Sequence, residues 1–155
     1  MKKTFQAKLD KPAAPEIVTV DKPMPFAPNA RTMVIPTPRT IMALLNQVPA
    51  GHIVLASELR RKLAADAGAD VACPLTTGIF LNIVARATEE ATATGTGETA
   101  PYWRVVKDDG SLNPKYPGAE AAHLAHLEAE GIPTRTTRTK TKAHVDAAPQ
   151  WHFVG

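Results

Sequence analysis

The stretch "APYWRVVKDDGSL", residues 100–112, holds one of the two tyrosines and one of the two tryptophans of the chain, next to an arginine and two valines. The β-branched pair predicts a strand over residues 103–107, Asp109-Gly110 predicts a turn, and Ser111-Leu112 predicts a short return strand. We therefore expect a short β-hairpin, placed as a wing, in a chain whose other regular segments are helical.

Three helices are predicted before this stretch. Thr37 and Pro38 are the residue types preferred at a helix N-cap and at the first helical position, and apolar residues at helical spacing continue to about residue 48. Ser57 is the expected N-cap of a second helix, which Gly68 ends.

A third helix is predicted to begin at Cys73-Pro74 and to extend to residue 87, with an apolar stripe that includes Ile79 facing the core. The solvent side is expected to be small and polar, so that a partner can approach the backbone closely, and it comprises Thr76, Thr77, Gly78, Asn82 and Arg86. The second and third helices then form a helix-turn-helix. Residues 88–100 are rich in threonine and glycine, which predicts a flexible loop.

The beginning of the chain differs in composition from this helical region. Residues 1–36 are rich in proline and lysine, which opposes regular helix. We expect an arm that is poorly ordered or draped over the domain, with at most short extended pieces such as residues 17–20.

A last helix is predicted over residues 118–130, followed by a glycine and a proline that stop it. Residues 133–155 are interpreted as a basic tail, since cations alternate there with threonines: Arg135, Arg138, Lys140 and Lys142. The predicted domain is therefore 37–132, between an arm and a tail.

Composition limits the class of protein. A chain of 155 residues suffices for one compact domain, and a formal net charge of +3 permits binding to a polyanion without requiring it. The single cysteine, Cys73, excludes an internal disulfide, and we find no apolar run of membrane-spanning length and no secretory leader. We expect a cytoplasmic protein without membrane association, cofactor or metal.

The order of these features resembles the C-terminal DNA-binding domain of the O6-alkylguanine-DNA alkyltransferase family, over about residues 38–132. That family has the acceptor motif Pro-Cys-His-Arg-Val, and the matching residues are Pro101, Tyr102, Trp103, Arg104 and Val105. Asp109-Gly110-Ser111-Leu112 and Glu130-Gly131 follow in the family's order. The resemblance implies a mainly α fold with a short β-hairpin, that is, a winged helix-turn-helix-like domain of the alkyltransferase C-terminal type.

In this alignment Tyr102 stands where the family has its alkyl-accepting cysteine, and Trp103 stands where it has a histidine base. Alkyl transfer to the protein needs a thiolate that a nearby base makes available. A phenol with an ordinary pKa of about 10, beside an indole that cannot accept a proton, is a poor substitute. The chain is thus similar to the cysteine-less alkyltransferase-like proteins, which bind alkylated DNA without repairing it. No catalytic residue is expected.

Two residues with which the family acts on DNA are absent. The family uses a tyrosine at the start of the second helix to rotate the target nucleotide and an arginine near the start of the recognition helix to fill its place. Ala56 and Pro74 occupy those positions here. Base extrusion costs a few kcal/mol, and stacking on an aromatic side chain contributes about 1–3 kcal/mol per base. Tyr102 and Trp103 are candidates for this compensation; the alternative is that both rings complete the core.

The predicted site is a DNA interface. Tyr102 and Trp103 are expected to contact a base, and a further set is expected to contact the double helix: Ser57, Arg60, Arg61, Thr76, Thr77, Gly78 and Asn82. For Arg60 and Arg61, a merely solvated helix face is the alternative. Pro101, Arg104 and Glu130 are expected to have structural roles in the motif. The expected partners of this monomer are double-stranded DNA, alkylated or not, and a repair protein.

Three other hypotheses fit the sequence. The first is a winged-helix regulator or architectural protein without lesion recognition, and the second is an enzyme that accepts an alkyl group on Cys73 or Tyr102. The third is a protein-interaction surface with exposed aromatic side chains. His123 and His126, three apart on one helix, are interpreted as surface histidines because two ligands alone do not make a metal site.

Overall fold

A computed structural model describes residues 4–155, and within this range the chain is helix-rich with small sheets. The α-helices are α1 (Phe5–Lys8), α2 (Pro38–Leu45), α3 (Ala56–Ala67), α4 (Pro74–Thr94) and α5 (Ala119–Ala129). The strands are β1 (Glu16–Thr19), β2 (Thr32–Ile35), β3 (Val54–Leu55), β4 (Val71–Ala72), β5 (Val105–Val106), β6 (Thr134–Thr136) and β7 (Thr141–Ala143). None of the helices between residues 4 and 155 is both long and apolar enough to cross a lipid bilayer.

The strands form three small sheets. Strand β2 pairs antiparallel with β1 and parallel with β4, and β6 pairs antiparallel with β7. Strand β3 pairs in parallel with β5, with Val54 opposite Val105. The last pairing brings the start of α3 next to residues 100–112.

Helix α2 begins where local chemistry predicts. The hydroxyl of Thr37 accepts a hydrogen bond from the backbone N–H of Thr40, the Thr40 hydroxyl accepts one in return, and Pro38 occupies the first turn. The predicted start is confirmed, although the helix ends at Leu45 rather than near residue 48. Ile41 and Leu45 are fully buried on its inner face.

The predicted cap of α3 is wrong. The helix begins at Ala56 with Leu55 at the N-cap, and no side chain of the cap residue binds the first turn. Ser57 instead lies inside the first turn, where its backbone N–H donates to Asp108 Oδ1 at 3.0 Å. The turn that follows β5 thus satisfies a free donor of α3. Gly68 ends the helix at a φ of +70°, as predicted.

Helix α4 begins at Pro74 as predicted, but the loop predicted over residues 88–94 is wrong because the helix continues to Thr94. The hydroxyls of Thr88 and Thr92 donate to the carbonyl oxygens four residues earlier, at 2.8 Å and 2.9 Å. Alanines on the same segment are buried, so threonines with satisfied hydroxyls extend the helix against the core.

The hairpin predicted within residues 103–112 is not formed. Residues Tyr102–Arg104 form a 3₁₀ helix, and both valines of β5 are buried against β3 and the core. The antiparallel hairpin lies instead in the segment predicted as a tail, where Arg135 on β6 and Arg138 and Lys140 between the strands are exposed and Lys142 on β7 is half-buried.

The segment predicted as an arm packs on the helices where it is described. The backbone N–H groups of Phe5 and Gln6 donate to the carboxylate of Glu90 on α4, at 2.8 Å and 3.1 Å. Leu9 is fully buried. Residues 1–3 lie outside the described range, and the division into arm, domain and tail stays a prediction.

The end of the described chain also packs on the core. The backbone N–H of Ile53 donates to the carbonyl of Pro149 at 2.9 Å, and the N–H of Trp151 donates to the carbonyl of Ile53 at 2.8 Å. Phe153 is buried, and Glu58 accepts its backbone N–H at 2.8 Å. Residues 149–153 therefore extend the β3 region of the fold.

Candidate functional site

Glu130, at the C-cap of α5, joins the motif residues. Its carboxylate accepts hydrogen bonds from Trp103 Nε1 at 2.8 Å, from Arg104 Nε and Nη2 at 2.9 Å and 2.8 Å, and from the backbone N–H of Gly51 at 3.3 Å. The Arg104 and Glu130 side chains are 13% and 14% exposed. Burial opposes ionisation of Glu130, but the hydrogen bonds from Arg104 and Trp103 outweigh it and lower the pKa of the carboxyl group.

Trp103 makes a hydrogen bond to this carboxylate through its indole N–H. An indole donates but cannot accept a proton, so the pair fixes the loop without providing a base. Trp103 also packs against both apolar clusters of the core, one between α2 and α4 and one beneath the β6–β7 hairpin. It therefore links the motif loop to the whole interior.

Tyr102 is only 1% exposed. Its ring packs edge-on against Trp103 and Tyr116, at 5.2 Å and 5.0 Å between centroids, and its hydroxyl donates to Glu89 Oε1 at 2.6 Å. Burial and the Glu89 carboxylate raise the pKa of the phenol above its ordinary value. Direct base contact by Tyr102 stays a prediction and requires the ring to be uncovered.

A cleft of about 430 Å³ lies beside the motif loop. Its walls include Glu89, Thr92, Pro101, Trp103, Arg104 and His126. Small-molecule sites commonly have volumes of about 300–1,000 Å³, so the cleft is large enough for a ligand of the size of a nucleobase. A carboxylate, hydroxyl groups and an aromatic wall together suit a flat ligand that donates hydrogen bonds.

His126 belongs to this cleft, and the sequence interpretation missed its role. Its imidazole stacks on Trp103 with 4.1 Å between centroids and 9° between planes, and its Nε2 lies 3.8 Å from Glu89 Oε1. His126 and Glu130 are four residues apart and so lie on one side of α5. The four-residue spacing between His126 and the motif residue Glu130 is the sequence signal that could have identified His126.

The interpretation of His123 as a surface histidine is wrong, because the residue is 1% exposed. Its Nδ1 accepts the backbone N–H of Asn113 at 3.1 Å, which leaves Nε2 to donate to the carbonyl of Trp103 at 2.7 Å. Burial lowers the pKa of His123 to about 4. This neutral imidazole makes hydrogen bonds to both ends of the segment 103–113.

The buried face of helix α4 differs from the one predicted from the sequence. Thr77, expected outside, is buried and donates to the carbonyl of Cys73 at 2.6 Å, whereas Ile79, expected inside, is 48% exposed. The buried stripe includes threonines whose hydroxyls bind the preceding turn, and apolar residues alone therefore did not define it. Gly78 is exposed, and Thr76 and Asn82 are half-buried. Leu75 is 72% exposed, which gives this face an apolar character.

The basic residues of α3 have different surroundings. Arg61 is bound by Glu58, with 2.7 Å between Nε and Oε1, and it donates to the carbonyl of Phe153 at 2.8 Å. Arg60 lines a groove of about 480 Å³ together with the exposed Ser57 and with Phe26. Both arginines therefore line this groove, and Arg61 is in addition held by groups of the fold.

Cys73 is the N-cap of α4 and lies far from the cleft. Glu89 follows it by sixteen residues on the same helix, which corresponds to about 24 Å along the axis. Among residues 4–155, no three His, Cys, Asp or Glu side chains are arranged to hold a metal ion. The structure therefore does not bring a thiol to the motif loop.

No protein-family model and no curated protein matches the chain. The chain is similar to a solved structure described as the crystal structure of S. pombe Atl1 in complex with damaged DNA containing O6-carboxymethylguanine. The two are 18% identical with a TM-score of 0.47, and the match covers 72% of this chain and 92% of the other. A similarity of this size carries no functional argument.

Proposed function

We propose that this protein is a non-catalytic DNA-binding protein that accommodates a base, alkylated guanine above all, in the cleft beside Trp103. The observation that carries the proposal is the arrangement at Glu130. This carboxylate holds Trp103 and Arg104, both from the motif, as one wall of a cleft of about 430 Å³. The sequence motif and the cavity therefore coincide.

The chemistry of the cleft supports binding without alkyl transfer. The hydroxyl of Tyr102 is buried, has a raised pKa and donates to Glu89, so it is a poor nucleophile at neutral pH. Cys73 lies at the opposite end of α4. No group at the motif loop combines a reactive sulfur with a base.

A base in this cleft meets one carboxylate and one stacked ring pair. Carboxylates accept hydrogen bonds from exocyclic amino groups of bases, and Glu89 offers its Oε2 for this purpose while Oε1 accepts from Tyr102. His126 is stacked on Trp103 and is 35% exposed, so a base stacks on the outer face of the imidazole or displaces it. Stacking of about 1–3 kcal/mol offsets part of the few kcal/mol that base extrusion costs.

Helices α3 and α4 are the proposed contact with the double helix. Exposed apolar side chains such as Leu75 and Ile79 are the kind that minor-groove proteins insert between base steps. The proposed polar contacts comprise Ser57, Arg60, Thr76, Gly78 and Asn82. Thr77 and Arg61 bind protein groups here and would have to exchange those partners for DNA.

Fluorescence anisotropy with labelled duplexes that contain guanine or O6-methylguanine tests the proposal. We expect several-fold tighter binding to the modified duplex, and we expect His126→Ala to reduce that preference. His152→Ala is the matched control, since the His152 side chain is 69% exposed and does not line the cleft. Negligible affinity for both duplexes at low salt would refute the proposal.

A regulator or architectural protein without lesion recognition is the second candidate. The 72% exposure of Leu75 favours it, because an apolar wedge on α4 bends DNA without reading a lesion. Equal affinity for both duplexes, with a steep dependence on salt, would support this candidate over the first. Intact mass after incubation with O6-benzylguanine tests the enzyme hypothesis, for which a mass gain is required.

A further inference from the structure

A small polar pocket of about 90 Å³ lies between the β6–β7 hairpin and the turn after β5. Its lining includes three lysines, two hydroxyl side chains and one carboxylate: Lys107, Lys140, Lys142, Ser111, Thr141 and Glu120. The pocket therefore has an excess of positive charge and donors on several sides.

Gly110 accounts for the close approach of the hairpin to the turn. Its φ is +87°, and a Cβ atom at this position would lie 2.2 Å from the carbonyl oxygen of Ala143. The backbone N–H of Ala143 also donates to the carbonyl of Gly110 at 2.9 Å. This contact places Lys142, the neighbour of Ala143 on β7, beside the turn that carries Lys107.

The charges around the pocket are only partly compensated. Among residues 4–155, no ion pair within 4 Å engages Lys107, Lys140 or Lys142. Glu120 is the single carboxylate of the lining. Asp109 also faces Lys142, and it accepts hydrogen bonds from the hydroxyl and from the backbone N–H of Ser111, the latter at 2.9 Å, so three lysines stand against two carboxylates.

We propose that this pocket binds a phosphate group, and that the hairpin thereby holds one backbone phosphate of duplex DNA. The DNA part rests on the function proposed above. Lysine ammonium groups and hydroxyls are ordinary phosphate donors, and a volume of about 90 Å³ suits a small anion rather than a base. The hairpin then serves as a second contact besides α3 and α4.

The experiment measures duplex affinity by anisotropy over a series of KCl concentrations for a Lys140→Gln/Lys142→Gln double variant. The control is Lys22→Gln/Lys115→Gln, which removes the same charge from exposed lysines outside the pocket. One lost phosphate contact makes the slope of log K against log salt shallower by about 0.9. We expect this change in the pocket variant and not in the control.

Slopes that are equal in the pocket variant and the control would overturn the phosphate proposal while leaving DNA binding intact. If the unaltered protein binds no duplex, the proposed function fails, and titration with inorganic phosphate then tests the pocket alone. Saturable amide NMR shifts at Ser111 and Thr141, absent in the pocket variant, would support the pocket. Unchanged amide signals would overturn it. Both measurements are then made on a Lys107→Gln variant, because Lys107 belongs to the turn and not to the hairpin.

Discussion

Glu130 binds donors from three parts of the chain: the indole of Trp103, the guanidinium of Arg104 and the backbone of Gly51. Because the two motif side chains share one carboxylate, the loop and the end of α5 form one unit. The sequence predicted a structural role for Glu130, but it could not show that an indole N–H would occupy the carboxylate, since that depends on packing across 27 residues.

Replacing Glu130 by glutamine tests this unit. The amide keeps an acceptor but leaves the mostly buried guanidinium of Arg104 without a counter-charge, so we expect the free energy of unfolding to fall by about 2–4 kcal/mol. Urea denaturation followed by circular dichroism measures it. Glu128→Gln, an exposed neighbour, should stay within about 0.5 kcal/mol of the unaltered protein. Equal effects in both variants would contradict the interpretation.

His123 predicts a pH dependence of stability. Its folded-state pKa of about 4 lies below the ordinary value of 6.5. Above pH 6.5 the imidazole is neutral in both the folded and the unfolded protein, so it does not change the stability. As pH falls from 6.5 towards 4, the unfolded chain takes up a proton that the folded protein excludes, so stability falls by about 3 kcal/mol in total.

The variant His123→Gln isolates this effect, because glutamine can still donate to the carbonyl of Trp103. We expect lower stability at pH 7 but a smaller decline between pH 7 and pH 5. The pKa of Glu130 is lowered, so its contribution is lost only at more acidic pH. An unchanged decline in the variant would show that another group causes it.

At the scale of elements, Gly110 determines where the β6–β7 hairpin lies. In Gly110→Ala the added Cβ would collide with the carbonyl oxygen of Ala143, so the hairpin must move. We expect the amide of Ala143 to lose hydrogen-exchange protection. Gly68→Ala is the matched control, since its φ is also positive at +70° but nothing lies within 4 Å. We expect Gly68→Ala to lower the free energy of unfolding by about 1 kcal/mol and to leave the amide of Ala143 protected.

Local chemistry explains which elements the sequence predicts. Thr37 and Pro38 contain the signal for α2 within a few residues, and Gly68 does so for the end of α3. The β3–β5 pair was not predictable in this way, because its strands have two residues each and lie about fifty positions apart. The hairpin was missed because the burial pattern of β6 is exposed throughout, so no apolar alternation marks it.

At the scale of the whole molecule, both ends of the described chain contribute to one interior. Leu9 and Phe153 are 0% and 4% exposed and lie in the same apolar cluster. We expect Leu9→Ala and Phe153→Ala each to lower stability by about 2–5 kcal/mol within one unfolding transition. Urea denaturation measures this, with Ile17→Ala and Val154→Ala as exposed controls. Two separate transitions would contradict it.

The candidate site was predictable only in part for a related reason. The motif residues Trp103, Arg104 and Glu130 are recognisable in sequence, and the structure brings them together. Glu89 and His126 join them only because α4 continues past residue 88 and because α4 and α5 both pack against residues Tyr102–Arg104. The predicted helix ended at residue 87, so the prediction did not include Glu89, which forms one wall of the cleft.

The stacking of His126 on Trp103 has an optical consequence. The emission of an indole depends on what lies against its ring, and both Trp103 and the imidazole stacked on it belong to the cleft wall. Trp151 contacts His52 only edge-on, at 6.0 Å, and supplies a separable background. The protein thus contains an intrinsic reporter of cleft occupancy, and in a Trp151→Phe background its emission follows that occupancy without any attached dye.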